Sequence, residues 1–382
     1  MARWLFQEEH EILRKSIRSF VQKEIVPHVE EWEEKGEFPA ELFLRLGELG
    51  FLGLKYTEEY GGSGEDYVAD AVFVEEMARC GSGGVHAGIG AHAHLATPPV
   101  YKFGSEEQKQ RFLVPAIRGE KIGALGITEP NAGSDVSALA TTAVKNGSHY
   151  VVNGSKIFIT NGVRADFIVL AVKTSPRAGH KGISFLLVEK GTPGFTVGRS
   201  LAKLGWHPSD TGELFFENCF VPEENLLGEE NQGFYYIMQN FQWERLVLAL
   251  GAVSAAELAL EEALRYARQR VQFGKPIGKF QVIRHKLADM ATVIETARCL
   301  TYHALSKFVR GEDAVTEVSM AKIVACEVHN QVADEALQIH GGYGYMMEFP
   351  VQRYWRDARI GTIGGGTTEV MKEIIARRII KD

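Results

Sequence analysis

The chain changes texture twice, and those two changes restrict its architecture more than any other feature. Up to about residue 121, apolar residues recur at helical spacing: Leu5, Ile12, Leu13, Ile17, Phe20 and Val21 share a stripe with charges between them. Pro39 ahead of Glu41-Leu42-Phe43-Leu44 predicts a helix start and Gly50 a stop. Tyr60-Gly61-Gly62-Ser63-Gly64 reads as a loop, and helical patterning resumes over Asp66–Ala78 and from about Gly84. From Ile122 to about Pro222 the pattern switches to short β-rich runs, among them Tyr150-Val151-Val152, Lys156–Thr160, Phe167–Val172, Ile183–Val188 and Leu214–Phe216. The pairs Asn146-Gly147, Asn153-Gly154 and Asn161-Gly162 predict tight turns between antiparallel strands. Helical texture returns after Gly233, with long helices expected at about 234–270, 279–309 and 314–339 and a last one from Thr367. The fold class that satisfies this order is α+β and multidomain. It has an N-terminal helical domain (1–121), a middle antiparallel β domain built as a barrel or sandwich (122–232), and a C-terminal four-helix bundle (233–382). A helix on the order of 50 Å long exceeds a compact monomer core, so part of the bundle is expected to bury against other subunits.

Composition narrows the function classes. The 382 residues are 45% hydrophobic and 24% charged, ordinary values for a soluble globular chain of two or three domains. A net charge of -7 without a basic block argues against nucleic-acid binding. No stretch of 18 or more apolar residues exists to span a membrane, and Met1–Gln7 lacks the apolar core of a signal peptide. Cys80, Cys219, Cys299 and Cys326 show no C-x-x-C spacing and read as reduced thiols in a reducing compartment. His86, His92 and His94 lie close in sequence, but no cysteine or carboxylate completes a ligand set, so no metal is assigned.

Five segments carry candidate chemistry. Gly126-Ile127-Thr128-Glu129-Pro130-Asn131-Ala132-Gly133-Ser134-Asp135 is a turn rich in small and hydroxyl residues, where backbone N–H groups can approach a polar ligand. Gly154-Ser155-Lys156-Ile157-Phe158-Ile159-Thr160-Asn161-Gly162 puts an aromatic and a hydroxyl side by side; taken alone, Phe158 is a strand core residue. Arg270-Val271-Gln272-Phe273-Gly274-Lys275, with Gln281 following, supplies a permanent cation suited to a diphosphate, and in isolation reads equally as a solvated surface. Leu337-Gln338-Ile339-His340-Gly341-Gly342 ends a helix on two glycines, which serve either as a plain cap or as room for a ligand. Ile363-Gly364-Gly365-Gly366-Thr367-Thr368-Glu369 closes the series, with Glu369 placed as a first-turn helix acid.

These segments, in this order over about residues 5–380, resemble the acyl-CoA dehydrogenases. The first matches the T-E-P-x-A-G-S-D signature, with Asn131 where glycine is common, and Lys203-Leu204-Gly205-Trp206, Ser209 and Thr211 extend the match. The resemblance implies tightly bound FAD. Leu125, Ile127, Thr128, Gly133 and Ser134 would contact it from the first loop, and Phe158, Ile159 and Thr160 from the second. Arg270, Phe273, Gln281, Gln338, Gly341 and Gly342 would clamp the FAD of a neighbouring subunit, with Thr367 and Glu369 as the last contacts. It further implies α,β-desaturation of an acyl-CoA, a homotetramer, and electron-transferring flavoprotein as acceptor. The setting would be a prokaryotic cytoplasm, or the mitochondrial matrix for a processed eukaryotic form.

In many members of that family, a glutamate at the position of Gly365 removes the substrate α-proton, and here there is no side chain. The isovaleryl-type and long-chain-type members carry the base on a distant helix instead, and Glu244 in Trp243-Glu244-Arg245-Leu246 matches that arrangement. The expected catalytic pair is therefore Glu244 as base and the Gly365 N–H as donor to the thioester carbonyl; the plain alternative is an ion-paired surface glutamate. Ser134, Arg245, Gly90, Gly364 and Gly365 are the expected substrate contacts, Arg245 near the CoA arm and Gly90 where a missing side chain deepens the acyl pocket for a long or branched chain. An acyl-CoA oxidase, a flavin oxygenase of related fold and a catalytically silent scaffold protein share this pattern; retention of Glu244 and of every flavin motif favours the dehydrogenase.

Overall fold

The structure, a computed structural model, describes residues 5–64 and 66–380. Met1–Trp4, on which part of the N-terminal reading falls, lie outside the described residues.

The N-terminal region is helical. Its best-defined start is Asp66, whose Oδ1 accepts the N–H groups of Val68 at 2.8 Å and Ala69 at 2.9 Å to cap the helix Tyr67–Ala78. That helix is buried from Ala69 to Ala78, including three acids. A carboxylate withdrawn from water needs a partner, and each has one. Asp70 meets Lys55 at 3.0 Å and Glu75 meets Arg14 at 2.7 Å, while Glu76 takes Arg14 at 3.1 Å and Arg18 at 2.7 Å. Arg14 and Arg18 belong to the helix Glu8–Phe20, and Tyr302 donates to Glu75 at 2.6 Å from the C-terminal bundle. Ion pairs between two helices and a tyrosine hydrogen bond from a third thus set the register of helices whose apolar faces would otherwise slide.

The middle region is one eight-stranded sheet: β1 (Gly123–Gly126), β2 (Thr142–Asn146), β3 (His149–Thr160), β4 (Phe167–Lys173), β5 (Ile183–Glu189), β6 (Phe195–Ser200), β7 (Thr211–Pro222) and β8 (Leu226–Leu227). The order is β6-β7-β3-β2-β4-β5-β8, with β1 on β4. It is antiparallel except for β1, which runs parallel to β4, and a single β2–β4 residue pair. β4 reads as a continuous apolar run because both its faces are covered. Phe167, Val169 and Ala171 pack toward Val100, Phe112 and Ile237 of flanking helices, whereas Ile168, Leu170 and Val172 pack toward Val152, Leu214 and Val221.

Of the three Asn-Gly pairs only Asn146-Gly147 makes the expected hairpin, joining β2 to β3. Asn153-Gly154 lies inside β3 at a register shift, where Gly154 at φ +147 lets the strand cross Thr141 more closely than any side chain permits. Asn161 ends β3 at φ +61 and donates to the Gly88 carbonyl at 2.8 Å, tying the sheet to the N-terminal helices.

The C-terminal helices are Gly233–Gln269, Gln281–Val309, Val315–His340 and Thr368–Ile379. Alanines line their contacts, among them Ala249, Ala256, Ala259, Ala263, Ala297, Ala304, Ala321, Ala325 and Ala336, and small side chains let the axes approach closely. A shorter helix, Val351–Ala358, is absent from the sequence expectation. It carries buried Asp357, which accepts the N–H of Gly83 at 2.8 Å and of Trp206 at 2.7 Å and so joins all three regions. Among the described residues no helix is long and apolar enough to cross a membrane.

Removing a buried carboxylate strands its cations. Glu76→Ala is expected to cost about 3 kcal/mol, seen as a clear drop in the thermal midpoint, while Glu48→Ala at an exposed ion pair changes it far less. Equal effects from the two substitutions would show that the Arg14–Glu76–Arg18 contacts do not hold these helices.

Candidate active site

The first cluster forms where the glycine turn meets the long helix Gly233–Gln269. Glu244, Leu248 and Gly251 are four and then three residues apart and share one helix face. Gly365 lies against that face. A Cβ built on it would sit 2.4 Å from Leu248 Cδ1 and 3.5 Å from Glu244 Oε1. With φ +62 at Gly365 and +96 at Gly366, the turn disfavours side chains by conformation, and one at residue 365 would also have to displace the Leu248 side chain. Glu244 is 8% exposed, and its Oε2 has no hydrogen-bond partner among the described residues. Burial pushes its carboxyl up to about 7, against the opposing pull of Arg245 and Lys322.

The expectation for Arg245 is a contact with the CoA arm. Its guanidinium is buried, with Nε 3.4 Å from the Gly365 carbonyl. Lys322, which sequence reasoning did not single out, is fully buried on the helix Val315–His340 and donates to the Gly366 carbonyl at 2.6 Å. Glu369 is exposed in the first turn of the helix that Thr367 caps by accepting the Val370 N–H. Its carboxyl is held down first by backbone N–H and then by Thr367, the behaviour of a first-turn acid rather than of a base.

The second cluster joins the two small-residue motifs. Ile157 N–H donates to the Thr128 carbonyl at 2.9 Å, and beneath this bond lies an ion pair. Lys156 donates to Glu129 at 2.7 Å and to the Ile127 carbonyl at 3.1 Å, while Glu129 also accepts the N–H groups of Ala140 and Thr141. Burial raises the proton affinity of Glu129, but Lys156 and those donors outweigh it and hold the carboxyl low; burial brings Lys156 down to about 8. Both residues sat in plain view within the motifs, but only their pairing across 27 positions reveals the role.

Phe158, in isolation a core residue, is 65% exposed at φ +62 beside an irregularity in the β3–β7 register. Gly133 and Ser134 are exposed, and nothing lies within 4 Å of a Cβ at Gly133. Leu125, Thr128 and Thr160 are half-buried. Ile127 and Ile159 are buried, so only their backbone can meet a ligand.

The third group opens elsewhere. Arg270, Gly341 and Gly342 line a groove of about 510 Å³ with Tyr266, Ile277 and Tyr343. No atom stands within 4 Å of a Cβ on either glycine, and Arg270 lies 5.2 Å from the Tyr343 ring centre. Gln281 and Gln338 are exposed outside the lining, as is Phe273, which is 93% exposed. Gly90 is buried in the helix Gly83–Gly90, with only His94 Cδ2 near a Cβ position, at 3.6 Å. Gly364 is fixed by its N–H to the Ile360 carbonyl at 2.8 Å.

Three family models match in sequence order: the acyl-CoA dehydrogenase N-terminal domain over residues 7–120, the middle domain over 124–219 and the C-terminal domain over 231–380. The chain belongs to the acyl-CoA dehydrogenase family. Members are flavin-linked oxidoreductases. The long-chain specific acyl-CoA dehydrogenase of Sus scrofa mitochondria is 44% identical, covering 100% of this chain and 88% of that one. The short-chain specific acyl-CoA dehydrogenase of Clostridium acetobutylicum is 42% identical over 98% of each. The crystal structure of an acyl-CoA dehydrogenase from Geobacillus kaustophilus superposes with a TM-score of 0.95 at 46% identity, over 98% of both chains.

The open cradle at Gly133, the outward Phe158 and the groove beside Arg270 fit a large, flat, phosphate-bearing cofactor. Glu129→Ala is expected to leave Lys156 buried without its carboxylate and cost about 3 kcal/mol. Purified protein should then show both a lower melting midpoint and reduced flavin content. Full flavin occupancy in a destabilised variant would mean that the pair does not shape the cofactor loops.

Proposed function

We propose that this chain is an FAD-dependent acyl-CoA dehydrogenase that desaturates an acyl thioester between its α and β carbons, with Glu244 as the base. The observation that carries this reading is the Glu244 carboxylate oxygen 3.5 Å from the point where a side chain at residue 365 would begin. The helix offers an acid at the place where the turn lacks one. An unpartnered, buried carboxylate with a proton affinity near neutrality suits removal of a weakly acidic α-proton. The Gly365 N–H makes no hydrogen bond to any described residue and is available to a thioester oxygen. Such a donor, aimed at charge that grows during reaction, is worth roughly 3 kcal/mol. FAD, when bound, supplies the acceptor for the β-hydrogen as hydride. Thr128, Ser134, Phe158 and Thr160 would hold it within one subunit, Thr367 and Glu369 near its end, and Arg270, Phe273, Gln281, Gln338, Gly341 and Gly342 across a subunit boundary. This division needs at least a second subunit; a homotetramer is the proposed assembly and electron-transferring flavoprotein the proposed acceptor. We set the domain boundaries at 121/122 and 232/233.

For the acyl group we favour a long or branched chain. Support comes from the base on the helix and from Gly90, whose missing side chain leaves space facing His94. Overall identity does not separate the choices, since long-chain and short-chain specific relatives stand at 44% and 42%.

Glu244→Gln should retain flavin but lose about a hundredfold or more in turnover, whereas Glu369→Gln stays within tenfold of the unmodified enzyme. The reverse pattern would move the base to Glu369. Because the carboxyl must be ionised to accept a proton, kcat/KM should rise with pH through about 7 and flatten above it. In an anaerobic substrate panel scored by flavin bleaching, long or branched acyl-CoAs should outperform butyryl-CoA; activity confined to butyryl-CoA would contradict the pocket reading.

A further inference from the structure

The Gly364–Gly366 turn has a mechanical problem. Consecutive glycines at φ +62 and +96 carry no side chains to lock them, and glycine gives up more conformational freedom on ordering than any other residue. Yet the proposed function needs the Gly365 N–H aimed at one point. The turn's own backbone supplies one tether, from Gly364 N–H to the Ile360 carbonyl. The next two carbonyls face cations: Gly365 oxygen meets Arg245 Nε at a long 3.4 Å, and Gly366 oxygen meets Lys322 Nζ at 2.6 Å. The lysine bond is the short one, and it comes from a side chain that is 0% exposed on a different helix.

A buried ammonium is costly unless charge and hydrogen bonds compensate. A single carbonyl does not satisfy three N–H donors. The charged and titratable groups around Lys322 are Cys326 on its own helix, Glu244 and Arg245 on the long helix, and Glu369 on the last helix. Of these, the acid that needs a cation is Glu244, which no described hydrogen bond stabilises.

We propose that Lys322 is a positioning residue of the active site, holding the Gly366 carbonyl so that the Gly365 N–H stays aimed, and lending Glu244 a positive neighbour. The inference rests on the reading of Glu244 as the base. It deepens that reading by assigning the geometry of the carbonyl donor to a residue forty-four positions away from the turn.

Two effects of Lys322→Met have opposite signs in one measurement. Loss of a neighbouring cation makes the Glu244 carboxylate harder to form, so its titration moves to higher pH. Mere loosening of the pocket admits water, relieves desolvation and moves it to lower pH. The holoenzyme is assayed for kcat and KM across pH, and the buried carboxyl is titrated independently by difference infrared spectroscopy, its band assigned by its loss in Glu244→Gln. Expected for Lys322→Met are a fall in kcat of roughly tenfold to a hundredfold, a smaller change in KM, and an upward shift of about half a unit or more in both the acid limb and the infrared titration. Lys322→Arg, which keeps the charge, should recover most of the pH shift. If the methionine variant does not fold, Lys322→Gln, close in volume and still a donor, is read by the same upward shift. Unchanged kcat, or a titration that stays put or moves down, overturns the proposal. Undiminished turnover in Glu244→Gln would instead overturn the base assignment itself, so the two failures are told apart.

Discussion

The left-handed backbone at Gly365 keeps that position bare, Leu248 packs into the space a side chain would take, and the arrangement of the site follows from that close approach. A methyl group there would stand 2.4 Å from Leu248 Cδ1, well inside van der Waals contact, and the backbone sits in the left-handed region besides. Glycine at 365 therefore answers first to the backbone conformation, with Leu248 packed into the space it leaves. It brings a bare stretch of backbone against the long helix and puts the carboxylate one helical turn before Leu248 beside it. A glutamate on a triple-glycine turn would depend on that turn for its aim. One on a 37-residue helix packed through alanines takes its position from the bundle.

The rest of the fold serves to bring distant backbone to that helix. Asp357 draws Gly83 and Trp206 to the helix Val351–Ala358, just ahead of the glycine turn. Asn161, at the end of the strand that carries Phe158, reaches the Gly88 carbonyl in the helix that ends at Gly90. Gln108 donates to the carbonyls of Glu224 and Leu226, where the sheet hands over to the long helix. Each joint is a side chain of one region satisfying backbone groups of another. Backbone groups cannot shift without moving their strand or helix, so these joints fix relative placement more firmly than contacts between mobile side chains at a surface.

Periodic features were legible in the sequence, and features that depend on meeting something far along the chain were not. The order helix, sheet, helix followed from spacing, and the long helices emerged within a few residues of their expected limits because amphipathic runs of that length leave little choice. Asn153-Gly154 misled because an Asn-Gly pair supports positive φ equally in a hairpin and in a strand irregularity, and only the register with β7 decides. The parallel β1 could not be seen, since its partner lies some forty residues on. At the site, Trp243-Glu244-Arg245 pointed to the acid through family likeness, and the fold brings Glu244 to Gly365. Lys322 escaped notice because a lysine among alanines on a helix reads as solvated, and its burial is decided by the turn that covers it. Phe158 shows the converse: an aromatic in a β-rich run reads as core, and a left-handed backbone turns it outward.

The two influences on Glu244 are best understood as a balance. Burial, with no partner for Oε2 among the described residues, disfavours the charged form, and left to itself would keep the acid protonated and useless as a base at neutral pH. Full pairing with Arg245 or Lys322 would do the opposite, holding the carboxylate so firmly ionised that it would have little affinity for a proton. Neither cation touches the Glu244 oxygens within hydrogen-bonding distance; each instead directs one donor at the turn, Arg245 to the Gly365 carbonyl and Lys322 to the Gly366 carbonyl. The acid therefore receives their field without their hydrogen bonds, and the result lies near neutrality. On the proposed reading, the cations beside the turn also offset the burial of Glu244, which ties the aim of the Gly365 N–H and the proton affinity of Glu244 to a single piece of structure.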